Sequence, residues 1–284
     1  MNWFDEGALF SQIALYLRED LGRGDITTQS IVARNTHARG RFVAGEKMIV
    51  AGLEAAEEVF LSLDSQQQLE AFVSDGEEIE SGKVIARTSG FADVLLAGER
   101  VALNLIQRLS AVATLTNQYV RAVENTRTVI VDTRQTTPGM RLLEKYAVQL
   151  GGGQSHRFGL DDGVVIRANH IAVAGGIVAA VKAAKARLGL IHKIAVQVVN
   201  ENDVREALSN GADILLLEDL GTEQFKPLVE LIRELAPDVT IECSGGITLQ
   251  NVQDYAKAGA DVIAVSELTA SVRQMAVNFH IQPF

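Results

Sequence analysis

The chain has 284 residues, of which 47% are hydrophobic, enough to build one large or two modest domains and too apolar for disorder. A net charge of −10 opposes nucleic acid and anionic membranes as partners, so any bound anion has to meet a local cluster of cations. The single cysteine, Cys243, rules out an intramolecular disulfide and fits a reducing compartment.

At the start, Met1-Asn2-Trp3-Phe4-Asp5-Glu6 shows no basic stretch leading into an apolar run, and no apolar run approaches the ~20 residues that span a bilayer. A cytoplasmic protein without membrane partners is expected. Leu9, Ile13, Tyr16 and Leu17 recur at helical spacing over residues 6–20. Residues 37–50 read as one or two strands, and a helix begins after Gly52. Residues 69–88 are strand and turn, punctuated by Asp75-Gly76 and Ser81-Gly82. Residues 91–124 form one long helix whose apolar positions (Leu95, Leu96, Val101, Leu103, Leu105, Ile106, Leu109, Val112, Leu115) are too dense for a surface helix. The domain boundary falls within it: an N-terminal domain over residues 1–112, a second over 113–274, and a last strand, 275–284, returning to the first.

Beyond that helix the pattern becomes regular. Short β-branched runs stand at 128–131, 164–166, 194–198, 214–217, 239–241 and 262–265, each followed by a helical segment. Such alternation builds parallel strands joined by right-handed crossovers, and six units point to an open β/α barrel.

In a β/α barrel the chemistry sits at the C-terminal strand ends. Those positions hold Asp132, Thr133, Arg134 and Gln135 after strand one, and Arg167, Asn169 and His170 after strand two. Strand three carries Gln197, strand four ends at Glu218-Asp219, strand five at Ser244-Gly245-Gly246, and strand six at Ser266-Glu267. Between strands one and two runs Gly151-Gly152-Gly153-Gln154-Ser155-His156-Arg157. Three consecutive glycines are expected to serve positive φ and ligand approach rather than packing; taken alone the run reads equally as a flexible loop or a helix cap, and the neighbouring His156-Arg157 and Arg167 tip it toward a ligand. Each arginine taken singly reads as a surface charge. Arg108, Arg134, Arg157, Arg167 and His156 together would be costly to converge without an anionic ligand, and guanidinium forks match carboxylates in pairs. The Ser244-Gly245-Gly246 turn, leading into a helix capped by Thr248, suits a phosphate. Cys243 reads as a small core residue, the Asp161-Asp162 pair as a solvated turn, and His170 as an organiser of its strand end.

These residues carry a resemblance. The runs Asp132-Thr-Arg-Gln-Thr-Thr-Pro-Gly-Met-Arg141, Glu144-Lys-Tyr-Ala-Val148, Gly151-Gly-Gly-Gln-Ser-His-Arg-Phe-Gly159 and Arg167-Ala-Asn-His-Ile171 resemble the quinolinate phosphoribosyltransferase family. So do Glu19-Asp-Leu-Gly-Arg-Gly-Asp-Ile-Thr-Thr28, Gln107-Arg-Leu-Ser110 and Ser244-Gly-Gly-Ile247, so the likeness runs over nearly the whole chain. It implies a type II phosphoribosyltransferase fold: an N-terminal α/β sandwich plus an open parallel β/α barrel. It implies transfer of phosphoribosyl from phosphoribosyl pyrophosphate to quinolinate with decarboxylation, giving nicotinate mononucleotide, pyrophosphate and carbon dioxide, with Mg²⁺ required. It implies a homodimer in which Arg108 reaches the neighbour's site. The carried-over site is Arg108, Arg134, His156, Arg157 and Arg167 for the dicarboxylate; Ser244, Gly245, Gly246 and Ser266 for phosphate; Gln135, Arg167, Gln197 and Glu218 for catalysis; and Glu218 for the metal.

The family pattern is altered on one side. Gln135 and Arg167 stand where the family has lysine, and Ala168 where it has aspartate. Gln197 stands where it has a glutamate that helps hold the metal-bound sugar pyrophosphate. Glu218-Asp219 replaces Asp-Asn, and Ser266-Glu267 replaces Gly-Ala. Glu267 is expected to repel a phosphate. Two other readings fit these departures: an enzyme of the same fold acting on another small aromatic carboxylate, and a catalytically silent paralogue that binds one.

Overall fold

A computed structural model describes residues 6–189 and 191–284. The opening stretch read above as lacking a targeting signal lies, except for Glu6, outside the described residues. In chain order the elements are α1 (Glu6–Leu21), α2 (Ile26–Ile31), β1 (His37–Ala44), β2 (Met48–Ile49), α3 (Leu53–Leu63), β3 (Leu69–Ala71), β4 (Glu78–Ile79), β5 (Val84–Phe91) and α4 (Ala92–Ala122). Then come β6 (Val129–Val131), α5 (Arg141–Leu150), β7 (Val164–Ile166), α6 (Ala168–Ala174), α7 (Ile177–Lys185), β8 (Ile194–Gln197), α8 (Glu201–Ser209) and β9 (Ile214–Glu218). The last are α9 (Thr222–Leu235), β10 (Thr240–Ser244), α10 (Val252–Lys257), β11 (Val262–Ala264), α11 (Glu267–Ala270) and β12 (Val277–Pro283). Among the described residues no helix is long and apolar enough to cross a membrane.

The chain divides into two compact units. The first comprises Met1–Asn117, Thr137–Gly152 and Val272–Phe284. Its main sheet is antiparallel, ordered β12-β1-β5-β3. Strand β1 alternates as a one-sided strand should: Ala38, Phe42 and Ala44 are buried while Arg39 and Arg41 are exposed. Phe42 meets Phe60 of α3 on the covered face, ring centres 6.3 Å apart. Helix α4 is buried almost all round along its middle, with Ala102, Ile106, Leu109, Val112 and Ala113 at 0% exposure, as the density of its apolar positions demands.

The first unit also takes in α5, which the sequence reading assigns to the barrel. Polar contacts explain it. Tyr146 of α5 donates to Asp75 at 2.8 Å, and buried Glu144 of α5 accepts from Arg108 of α4 at 2.7 Å. At the helix end, Gly151 lies so close to α4 that a Cβ would stand 2.4 Å from the Ala113 carbonyl oxygen and 2.6 Å from Thr116 Cβ. This corrects the reading of the triple glycine at its first position, whereas Gly152 takes the positive φ expected, at +90°. Gly151 has φ −74°, needs no special backbone, and is there for packing.

The second unit, Gln118–Thr136 with Gly153–Ser271, is the β/α barrel. Its six strands are all parallel and ordered β6-β11-β10-β9-β8-β7. The last strand of the series thus pairs with the first, and among the described residues the ring lacks strand pairing at one seam, between β6 and β7. Gln154 fills part of that seam. It bridges Val131, taking its N–H to Ile130 O at 2.9 Å and receiving Asp132 N–H at 3.2 Å. The free edge of β6 is thereby satisfied, and the segment leading to His156 and Arg157 is held against a barrel strand.

Candidate active site

Register brings the strand ends level. Ser244 pairs with both Glu218 and Ala264, and Ala264 with Val131. The residues just beyond therefore converge on a cavity of about 650 Å³ at the C-terminal face. From β6 it receives Asp132, Thr133, Arg134 and Gln135, and from the seam segment His156 and Arg157. Arg167 and His170 enter from β7, Glu218 and Asp219 from β9, Glu242 to Gly246 from β10 (Cys243 excepted), and Ser266 from β11.

Three guanidiniums share this space. Burial first, then the neighbouring Arg134 and Arg167, pull the Arg157 guanidinium below its usual value. Such mutual repulsion is costly for the fold and is relieved by an anion. A carboxylate and a backbone carbonyl hold two of the three in place. Arg167 Nη1 lies 3.0 Å from Glu218 Oε1, and Arg157 Nη1 donates to Gly163 O at 3.2 Å. His170 Nδ1 accepts the Arg167 N–H at 3.1 Å, which is the strand-end role expected of it. Buried Asp132 accepts the His156 N–H at 2.8 Å, and His156 Nε2 lies 3.2 Å from Glu242.

The opposite wall is backbone and hydroxyl. Gly245 and Gly246 take φ of +82° and +62°. A Cβ at Gly245 would fall 2.0 Å from Asp219 Oδ1, so the β10 turn sits directly on Asp219, whose N–H donates to Ser244 O at 2.9 Å. Ser244 Oγ is buried and makes no hydrogen bond among the described residues. Gln135 lines the same cavity, its carbonyl held by Thr269 at 2.7 Å.

Residues 25–110 match the family described as "Quinolinate phosphoribosyl transferase, N-terminal domain", and residues 112–280 the corresponding C-terminal domain. The chain belongs to the quinolinate phosphoribosyltransferase family. Relatives named "Probable nicotinate-nucleotide pyrophosphorylase [carboxylating]" include one from Synechocystis sp., 41% identical over 88% of this chain and 85% of its own length. One from Bacillus subtilis is 40% identical over 94% and 91%. The nicotinate-nucleotide pyrophosphorylase from Francisella tularensis superposes with a TM-score of 0.91 at 33% identity, over 98% of both chains. Fold class is that of the family: an antiparallel α/β first unit and an open parallel barrel.

Of the family-derived site residues, Arg134, Gln135, His156, Arg157, Arg167, Glu218, Ser244, Gly245, Gly246 and Ser266 meet in the cavity. Three residues of the sequence reading stand elsewhere. Gln197 does not line it; its Oε1 accepts the Ala168 N–H at 2.8 Å at the start of α6. Glu267, expected to repel phosphate, instead accepts the Tyr119 hydroxyl. Arg108 belongs to the first unit, where its Nη2 and Nε bind Glu144 at 2.7 and 3.1 Å. Neither Gly151 nor its two neighbours line the cavity. Cys243 is buried and its thiol is pushed up to about 12 by burial, the core residue expected. Asp162 accepts the N–H groups of Phe158 and Gly159, closing a turn. Glu242 was missed. Its signal is modest: a carboxylate inside an apolar strand, two positions before Ser244 and so on the same face.

Proposed function

We propose that this protein transfers the phosphoribosyl group of phosphoribosyl pyrophosphate to the ring nitrogen of quinolinate and releases carbon dioxide, giving nicotinate mononucleotide and pyrophosphate. The observation that carries this reading is the convergence of Arg134, Arg157 and Arg167 in one cavity opposite the Ser244-Gly245-Gly246 turn. A planar pyridine dicarboxylate needs paired cationic forks, and a sugar phosphate needs backbone N–H donors. Family membership supplies the same pair of substrates.

Arg134, Arg157 and Arg167 hold the two carboxylates and aim the ring nitrogen at the anomeric carbon. That carbon gains positive charge as pyrophosphate departs; in this reading Glu218 and Asp219, two of the four acids that line the cavity, stabilise it. Once ribosylated, the ring nitrogen is cationic. Loss of the adjacent carboxylate as carbon dioxide then leaves its electron pair beside that charge, where a proton completes the product. Gln135 and Ser266 hydrogen-bond the phosphates.

Among the described residues no cluster of three or more His, Cys, Asp or Glu side chains could hold a metal by itself. Glu218 and Asp219 nevertheless fit a magnesium ion that arrives on the sugar pyrophosphate, because Mg²⁺ is commonly held by one or two carboxylates plus substrate oxygens. When bound, it neutralises charge on the leaving pyrophosphate. The reading includes a cytoplasmic homodimer in which Arg108, one fifth or less of its side chain exposed, lies at the neighbour's site.

The deciding experiment mixes purified protein with quinolinate, phosphoribosyl pyrophosphate and Mg²⁺ and follows nicotinate mononucleotide by mass spectrometry. Product at an enzymatic rate supports the reading. No product, with quinolinate still bound, overturns it.

A further inference from the structure

Glu242 has no task in the transfer just described, yet it is 5% exposed on the cavity floor. A buried carboxylate in a site built for a dicarboxylate opposes its own ligand unless it is neutralised locally. What it faces is the ring of His156.

The hydrogen bonds around that ring are directional. Nδ1 accepts the backbone N–H of Arg157 at 2.8 Å, so the ring proton resides on Nε2. Nε2 in turn lies 3.2 and 3.3 Å from the two Glu242 oxygens. Both nitrogens of His156 are thus engaged within the protein. Its backbone N–H is held as well, by Asp132 Oδ1 at 2.8 Å, with Asp132 at 0% exposure. Two buried acids therefore grip one residue, at its backbone and at its ring. That residue accepts the N–H of the next one, Arg157.

Arg157 needs the anchor. Its guanidinium is pressed by Arg134 and Arg167, and of three repelling cations the one whose backbone is held least would be the first to swing out to solvent. Arg167 follows β7 directly and Arg134 stands three residues beyond the end of β6, whereas Arg157 lies seven residues from the nearest helix or strand, between Leu150 at the end of α5 and Val164 at the start of β7.

We propose that Glu242 is a positioning residue for recognition of the dicarboxylate: through the His156 ring it fixes the backbone at Arg157. The proposal rests on the cavity being a quinolinate site.

The test compares Glu242→Leu with Glu242→Gln, whose amide oxygen still accepts the ring proton. In Glu242→Leu the KM for quinolinate rises about tenfold, the size of one lost charge-assisted hydrogen bond, while the KM for phosphoribosyl pyrophosphate stays unchanged. Hydrogen exchange at the Arg157 amide, read by NMR, speeds up about tenfold while amides of β9 exchange as before. Glu242→Gln restores both. Equal rises in both KM values, or an unchanged Arg157 amide, overturn the proposal. If Glu242→Leu fails to fold, Glu242→Gln carries the test: faster exchange at Arg157 in that variant overturns it. The exchange arm uses protein without substrate, so failure of the catalytic reading and failure of this proposal are separable.

Discussion

Arg167 and Glu218, from the ends of β7 and β9, face each other across the width of one strand with Nη1 and Oε1 3.0 Å apart. The pair is unequal. The arginine side chain is 48% exposed and the glutamate 17%, so one carboxylate oxygen orients a guanidinium whose remaining donors face the cavity.

Replacing Arg167 with Met is therefore expected to weaken quinolinate binding about tenfold or more, the worth of a charge-assisted contact. Stability should change by less than about 1 kcal/mol, because a half-exposed ion pair contributes little. Calorimetric titration with quinolinate and a urea melt check the two halves. A large loss of stability with unchanged affinity would make the pair structural.

Arg108 and Glu144 behave oppositely. Glu144 is fully buried and accepts from Arg108 Nη2 and Nε and from the N–H and hydroxyl of Thr137. Arg108→Met leaves that carboxylate buried without its cation and should cost about 3–5 kcal/mol in urea unfolding. Arg108→Met with Glu144→Gln should recover part of it. If Arg108 also serves a neighbour's site, the double variant regains stability without regaining quinolinate affinity, which titration of the refolded protein reads directly.

The barrel was legible because its strands announce themselves as β-branched runs at regular spacing, and the residues just past them are where parallel register places chemistry. The long buried helix was legible from apolar density alone. What escaped depended on side-chain direction or on contacts distant in sequence. Gln197 sits at a strand end, but nothing local says that its amide turns to Ala168. Glu267 follows Ser266 immediately, yet Tyr119, 148 positions away, takes its carboxylate. Gly151 looked like ligand chemistry because a helix passing within 2.4 Å of a would-be Cβ is invisible in sequence. Glu242 was overlooked because a lone acid within Ile241-Glu242-Cys243 carries no motif, and its meaning comes only from His156.

Asp75 makes the first unit's stability depend on pH with an unusual sign. Burial raises its pKa, only partly offset by hydrogen bonds from Tyr146 and the N–H groups of Leu53 and Gly52. A carboxyl whose folded-state pKa is raised contributes stability below the unfolded value and loses it as pH rises through the folded one. Asp25 and Glu46 run the other way, lowered chiefly by hydrogen bonds from Thr28 and Arg273; their contribution is present above the unfolded pKa and lost as pH falls through the folded one. Urea midpoints measured across the acid range for the protein and for Asp75→Asn should diverge: the variant loses the part of the profile in which stability falls with rising pH. Superimposable slopes would mean that Asp75 keeps an ordinary pKa.

The β10 turn offers the sharpest contrast between two adjacent positions. Gly245 and Gly246 both have positive φ, so an alanine at either carries a backbone cost of about 1 kcal/mol. Only at Gly245 does the new Cβ also collide, with Asp219 Oδ1 at 2.0 Å and its backbone nitrogen at 2.9 Å; at Gly246 nothing lies within 4 Å. Asp219 itself holds φ +57° and cannot retreat without breaking its N–H bond to Ser244 O. Gly245→Ala should therefore displace the turn and cost about 2–4 kcal/mol, backbone strain and overpacking together. Gly246→Ala should stay near 1 kcal/mol. Because the proposed function puts phosphate at this turn and quinolinate at the arginines opposite, the KM for phosphoribosyl pyrophosphate should rise in Gly245→Ala while that for quinolinate moves far less. Equal effects of the two alanines would mean that the clash with Asp219 is relieved elsewhere, and equal effects on both substrates would mean that the turn does not discriminate between them.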